Sequence, residues 1–276
     1  MPLQEGIYYQ HGQRPGRCFA ILFLRAQPGI TAAAMDQCLS GLADVYSELR
    51  AGRIADLPGV SLPPGSLTIL TGYGPKAFAI AGVRRPMPFD LGPKHQFRSP
   101  RAAGGGSVLV GSGLTYAEGL SRNPATEEIA VQGIADTPLA ANRVIVETFK
   151  YLEDHPDPVA GVAPLQLACA FTGFNREDGR SWIDFHDGVS NLASGDERFG
   201  AIAVKPQGIA EDQWTEEGTY LAFLRLGVDL AAWRKLSRTQ QELLVGRAKT
   251  HRLSDRRSDR RRRPSPTSRM PLHRHR

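Results

Sequence analysis

Apolar residues form a nearly unbroken run at 17–25, Arg17-Cys18-Phe19-Ala20-Ile21-Leu22-Phe23-Leu24-Arg25. A run of that length without alternation predicts a central strand covered on both faces. Pro28-Gly29 ends it. From 31 to 50 the apolar positions are Met35, Cys38, Leu39, Leu42, Val45, Tyr46 and Leu49. Spacings of three and four predict a helix, with Thr31 as its N-cap. Residues 66–72 carry β-branched side chains and read as a strand. A short helix is predicted over 76–82. The stretch 83–105 holds Pro86, Pro88, Pro93 and Pro100 and runs into a triple glycine, so it reads as a surface loop.

A short strand follows at 107–111 and another at 128–132. Asp136 stands where an N-cap belongs, and a helix is predicted over 138–153 with Pro138 in its first turn. Leu139, Val144, Ile145, Phe149 and Leu152 form its expected apolar stripe. His155-Pro156-Asp157-Pro158 stops the helix and is the expected domain boundary. The order of elements before it suits a ferredoxin-like α+β sandwich, an antiparallel sheet with helices on one side. A second round then begins: strands at 164–171, 201–205 and 219–226, and a helix at 228–236. Ser237-x-x-Gln240 is a capping-box pattern for one more short helix, ended near Gly246. The second round lacks one strand–helix pair. The expected organisation is therefore an N-terminal ferredoxin-like domain at 1–156, a partial second one at 157–250, and a disordered Arg-rich tail at 251–276.

Charge changes the picture only at that tail. The whole chain has a net charge of +6, but residues 251–276 hold ten Arg and two Asp, a contribution of 10 − 2 = +8. The remaining 250 residues are then at 6 − 8 = −2. The folded part is mildly acidic, and nucleic-acid binding does not follow from its composition. Hydrophobic residues make up 41% of the chain, enough for a buried core. Cys18, Cys38 and Cys169 are odd in number and far apart, and they sit in apolar patterns. Free buried thiols are expected, which fits a reducing cytoplasm. Met1-Pro2-Leu3-Gln4-Glu5-Gly6 shows no basic-then-apolar leader, and no apolar run is long enough to span a bilayer.

The polar stretch after the strand at 164–171 is the candidate for chemistry. It is rich in Gly, Asn and Asp and ends at Asp187-Gly188. Asp-Gly is a strong turn signal, because Gly accepts positive φ and Asp bonds its own downstream backbone. A carboxylate on such a loop suits acid–base work, and it equally suits capping a turn. There is no Gly-rich phosphate loop, no paired-cysteine zinc spacing and no His-Glu-x-x-His, so nothing suggests an NTPase or a zinc enzyme.

Phe185-His186-Asp187-Gly188-Val189-Ser190-Asn191 resembles the Gly-x-x-Asp-Gly loop of the dye-decolorising (DyP-type) haem peroxidases. Three later segments agree in order: Gly218-Thr219-Tyr220 through Arg225-Leu226, Asp229 through Trp233, and Ser237 through Gly246-Arg247-Ala248-Lys249. An earlier patch, Asp136 through Asn142-Arg143, resembles a helix start in the first half. Two positions depart from the pattern. Asp184 stands where the family has its first loop glycine, and Leu192 stands where proline is common. If Asp184 and Asp187 faced one cavity, each would raise the other's pKa.

The resemblance implies a tandem ferredoxin-like fold with haem b in the second half. It implies Asp187 as the catalytic acid–base group, moving a proton between the two oxygens of hydrogen peroxide. Phe185, His186, Gly188, Ser190, Asn191 and Arg225 would contact the cofactor. The partners would be hydrogen peroxide and an organic, dye-like electron donor, with no membrane, homo-oligomerisation left open, and no role for nucleic acid. The iron ligand stays unassigned, because none of the seven histidines matches the family position. Trp182, Tyr220 and Trp233 are candidates for electron relay, though Trp233 on a helix with Leu230 and Leu236 equally suits core packing. After Thr250 the text reads as a shifted frame or a truncated product. Two alternatives stand beside the peroxidase: an inactive haem-peroxidase-like scaffold or assembly subunit, and nucleic-acid binding through the Arg tail.

Overall fold

The computed structural model describes residues 6–7, 16–88, 91, 96–97, 108–109, 127–158, 160–187, 200, 210–216, 218–221, 223 and 228–250. The chain divides into two compact units. One comprises Met1–Asn175 with Leu192–Leu224, the other Arg176–Asn191 with Arg225–Arg276.

The first unit is built on the apolar run at the start of the chain. Strand β1 (Cys18–Ala26) lies in a four-stranded sheet with β2 (Thr68–Tyr73), β5 (Ile129–Ala135) and β6 (Leu165–Phe174), in the order β2-β5-β1-β6. Every neighbouring pair is antiparallel, with Leu22 facing Val131 on one side and Ala170 on the other. With helix α1 (Ala32–Arg50) between β1 and β2, and α2 (Pro138–Asp154) between β5 and β6, this is one ferredoxin-like motif. The fold class read from the sequence therefore holds. The strand expected at 164–171 as the opening of a second round is β6, however. It pairs with β1 and completes the first sheet. A small hairpin of β3 (Gln96–Phe97) and β4 (Val108–Leu109) falls partly within the stretch read as loop.

The core lies between the sheet and the two helices. Leu22, Leu24, Val131, Leu42, Leu49 and Val144 are buried there. The opposite face of β1 is covered as well, as its unbroken apolar run predicts: Phe23 meets Phe171 and Phe223 at ring-centroid distances of 6.4 and 5.0 Å. Arg25 closes the end of β1 through two hydrogen bonds to the buried Glu127 carboxylate, at 2.9 and 2.6 Å. Thr31 caps α1 as expected, its hydroxyl accepting from Ala34 N at 3.3 Å.

Helix α2 differs from its expected stripe. Its buried residues are Ala140, Ala141, Val144, Glu147, Thr148 and Leu152, while Leu139 and Phe149 are exposed. Small side chains let the helix approach the sheet closely. A Cβ on Gly133 of β5 would come within 2.8 Å of a Val144 methyl. The cap is Thr137 rather than Asp136, its hydroxyl accepting from Ala140 N at 3.2 Å. Thr148 donates to Val144 O at 2.5 Å and pairs with the Tyr46 hydroxyl at 2.9 Å, joining α2 to α1 inside the core. Burial pushes the Tyr46 phenol up to about 12 and the Cys38 thiol up to about 11.

Among the described residues no helix is long and apolar enough to cross a membrane. The three cysteines are free thiols, Cys18 and Cys38 buried and Cys169 partly so. The strand expected at 201–205, half of the one at 219–226, and the Arg-rich stretch at 251–276 lie outside the described residues, and residues 219–221 and 223 are not in a strand.

Candidate active site

The second unit is small and held by polar contacts around one aromatic anchor. Its loop begins at Arg176, whose Nε and Nη2 donate to the two oxygens of Asp178 at 3.0 and 2.7 Å. Arg176 Nη1 donates to Ser181 O at 3.1 Å and to Asp184 Oδ1 at 3.2 Å. The chain then folds into a miniature hairpin, with an antiparallel bridge between Arg180 and His186. Asp184 N donates to Ser181 O at 3.0 Å across its tip, and Asp187 N donates to Gly179 O at 2.9 Å at its base. Trp182 stands at the tip, 85% exposed.

Phe185 is the anchor, at 1% exposure. It meets Trp233 edge-on at 6.3 Å. The Arg247 guanidinium lies 6.0 Å and the Lys249 ammonium 5.3 Å from its ring centre. Trp233 sits on α3 (Leu230–Lys235), which Asp229 caps by accepting from Ala232 N at 2.9 Å. Helix α4 (Arg238–Val245) starts at the predicted capping box of Ser237 and Gln240 and ends at Gly246 with φ 76°. The side-chain amide of buried Gln241 donates to Trp233 O and Leu236 O at 3.1 and 3.0 Å, joining the two helices. Glu242 accepts from Lys249 N and from Arg238 Nε, both at 2.9 Å. These donors, the Lys249 amide first, hold its carboxyl below the usual range. Arg180 Nη1 donates to Asp184 O at 2.6 Å and to Lys249 O at 2.8 Å, tying the hairpin to the segment after α4.

The candidate residues thus have distinct places. Phe185 is a structural anchor. Asp187 is exposed at the base of the hairpin. His186 stands between them, and its Nε2 is buried without a hydrogen-bond partner. Gly188, Ser190, Asn191 and Arg225 lie outside the described residues. Trp233 packs on Phe185, which favours its core reading. Asp184 has its carboxylate 57% exposed and paired with Arg176. At φ 67° it occupies a left-handed conformation that suits glycine, the residue expected there from the resemblance. Arg176 and Arg180, the braces of the loop, went unnoticed in the sequence.

The group that the resemblance implies is haem. The orphaned Nε2 of His186 fits a loop that closes against a further group, since buried polar atoms are otherwise satisfied. The other histidine within the described residues, His155, lies in the first unit with its Nδ1 2.8 Å from Tyr151 O. His11, His95, His251, His273 and His275 lie outside the described residues.

Residues 178–267 match the family model of the C-terminal part of Dyp-type peroxidases. The fold agrees with that class. A DyP-type peroxidase from Streptomyces coelicolor matches with a TM-score of 0.64 at 23% identity, covering 90% of this chain and 61% of its own. DtpA from Streptomyces lividans, as an oxyferrous complex, matches with a TM-score of 0.65 at 22% identity, covering 90% and 63%. A DyP-type peroxidase from Cellulomonas bogoriensis gives 0.60 at 20% identity, covering 91% and 64%. The chain spans under two thirds of the length of these structures. No curated protein matches it. The chain has the fold of the DyP-type peroxidases, and the resemblance read from its sequence holds.

Proposed function

We propose that this chain is a haem-dependent peroxidase of the DyP type, reducing hydrogen peroxide while oxidising an organic, dye-like donor. The observation that carries the reading is the family match over 178–267, which includes the Asp187 hairpin. The oxyferrous state named for DtpA of Streptomyces lividans supports iron as the redox centre in this fold.

Haem, when bound, supplies the electrons on which the O–O bond breaks and recovers them from the donor. The chain's own residues manage protons and position. Asp187, exposed at the base of the hairpin, accepts the proton of one peroxide oxygen and returns it to the other, which leaves as water. The bond of its backbone N–H to Gly179 O fixes where the loop leaves the hairpin. Phe185, clamped by Trp233 and the Arg247 and Lys249 cations, keeps the hairpin from drifting. Gly188, Ser190, Asn191 and Arg225 would line the cofactor, and His186 would face it with Nε2. Haem b is the proposed form, and the proposed setting is the cytoplasm.

A haemin titration of the full chain, read at the Soret band and followed by peroxide and a dye, tests the reading. Saturable binding with dye loss is expected. Failure to bind haemin would overturn it.

A further inference from the structure

The first unit carries a large cavity that the peroxidase reading does not use. It lies among the C-terminal half of α1, the loop after it and the last turns of α2, with a volume of about 900 Å³. That is at the upper end of the range for sites that take drug-sized molecules, roughly 300–1,000 Å³. Its apolar lining comes from Val45, Leu49, Ile54 and the half-exposed Leu57 and Val60. Tyr151 adds an aromatic wall, stacked on His155 at 4.1 Å and 16°. Its hydroxyl lies against Gly41, where an added Cβ would force the Tyr151 ring to shift.

The charges around this lining are unbalanced. Asp44, Glu48, Asp56, Glu147 and Asp154 supply five carboxylates, against the permanent cations Arg53 and Lys150, an excess of 5 − 2 = 3 negative charges with His155 neutral. Both cations are already engaged. Arg53 donates to both oxygens of Glu48, at 2.5 and 2.8 Å. Lys150 pairs with Asp56 and with Glu147. Asp44 and Asp154 have no ion pair or hydrogen bond among the described residues. An anion would be repelled here, and a neutral molecule would leave the two carboxylates unused. A cation with an apolar or aromatic body satisfies the apolar lining, the tyrosine wall and the charge excess together.

We propose that this cavity is a binding site for a small organic cation carrying an aromatic or apolar group, independent of the Asp187 hairpin. Asp44 and Asp154 supply the counter-charge, and the lining of α1 and its following loop takes the body.

The test is a calorimetric titration of the full chain with benzyltrimethylammonium, run beside benzyl alcohol and benzenesulfonate. The wild type is expected to bind the cation saturably and to prefer it to both controls. In the Asp44→Asn/Asp154→Asn variant the affinity falls at least about tenfold, a loss of roughly 1.4 kcal/mol, with the circular dichroism unchanged. Both changes are on exposed positions of α1 and α2. Equal affinity in wild type and variant would overturn the assignment, as would controls that bind as tightly as the cation, or no binding of the cation at all. An oligo-arginine peptide that binds where benzyltrimethylammonium does not would assign the face to a basic segment instead, and would equally overturn it.

Discussion

Asp184 holds a left-handed backbone, φ 67°, while its carboxylate accepts from Arg176 Nη1 at 3.2 Å. The two facts explain one another. A left-handed L-residue costs roughly 1–2 kcal/mol, and the side chain that is tolerated here is one that ties the hairpin back to its first residue. Replacement separates the two effects. Asp184→Ala keeps the strained backbone and loses the pair, so it lowers the stability of the second unit. Asp184→Gly removes the strain as well, and it recovers roughly 1 kcal/mol relative to alanine. Hydrogen exchange at the hairpin amides, compared across the three proteins, reads this order directly. Alanine and glycine variants of equal protection would contradict it.

Phe185 is the residue on which the second unit depends most. Its ring is buried against Trp233 and lies beneath two cations. Phe185→Ala should cost roughly 3–5 kcal/mol, the range for deleting a buried phenyl group. Proteolysis should then cut first within 176–187 or 228–250. Unchanged cleavage there would mean that the anchor lies elsewhere.

Gly41 should resist the usual gain from alanine. In a helix interior Gly→Ala is ordinarily favourable by up to about 1 kcal/mol. Here the new methyl would meet the Tyr151 hydroxyl and ring, so Gly41→Ala lowers the melting temperature of the first unit. With Tyr151→Ala already in place, the same change should become neutral or stabilising. Additive losses in the double variant would show that the clash is absent.

The first unit should weaken at alkaline pH. Burial raises the Cys38 thiol from 9.0 to about 11 and the Tyr46 phenol from 10.0 to about 12. Both folded values exceed the unfolded ones. Their contribution is therefore complete below pH 9 and is lost as pH climbs through about 11 and 12. Thermal melts between pH 8 and 12 should fall more gently in Cys38→Ala/Tyr46→Phe than in wild type, although the variant starts lower. Parallel curves would rule out these two groups as the cause.

Much of the first unit was legible from the sequence, because β1 is a continuous apolar run and α1 has regular apolar spacing behind its Thr31 cap. The Ser237–Gln240 box was legible for the same local reason. The buried face of α2 was not. Size misled there: Ala140 and Ala141 pack inward while Leu139 and Phe149 face out, since close approach to Gly133 selects small side chains. The place of β6 was hidden too, because its partner is set by pairing with β1 over a long sequence separation and no local signal encodes that. In the candidate site, Asp187 stood out by motif. The brace from Arg180 to Lys249 O joins residues 69 apart in sequence and has no local signature.

The most direct measurement compares haemin-loaded wild type with Asp187→Asn, each first titrated at the Soret band. With haem occupancy matched, peroxide-dependent dye loss should fall at least roughly a hundredfold in the variant, the scale of a lost general acid–base group. Equal turnover in the two proteins would contradict the role assigned to Asp187, and a wild type that takes up no haemin would contradict the peroxidase itself.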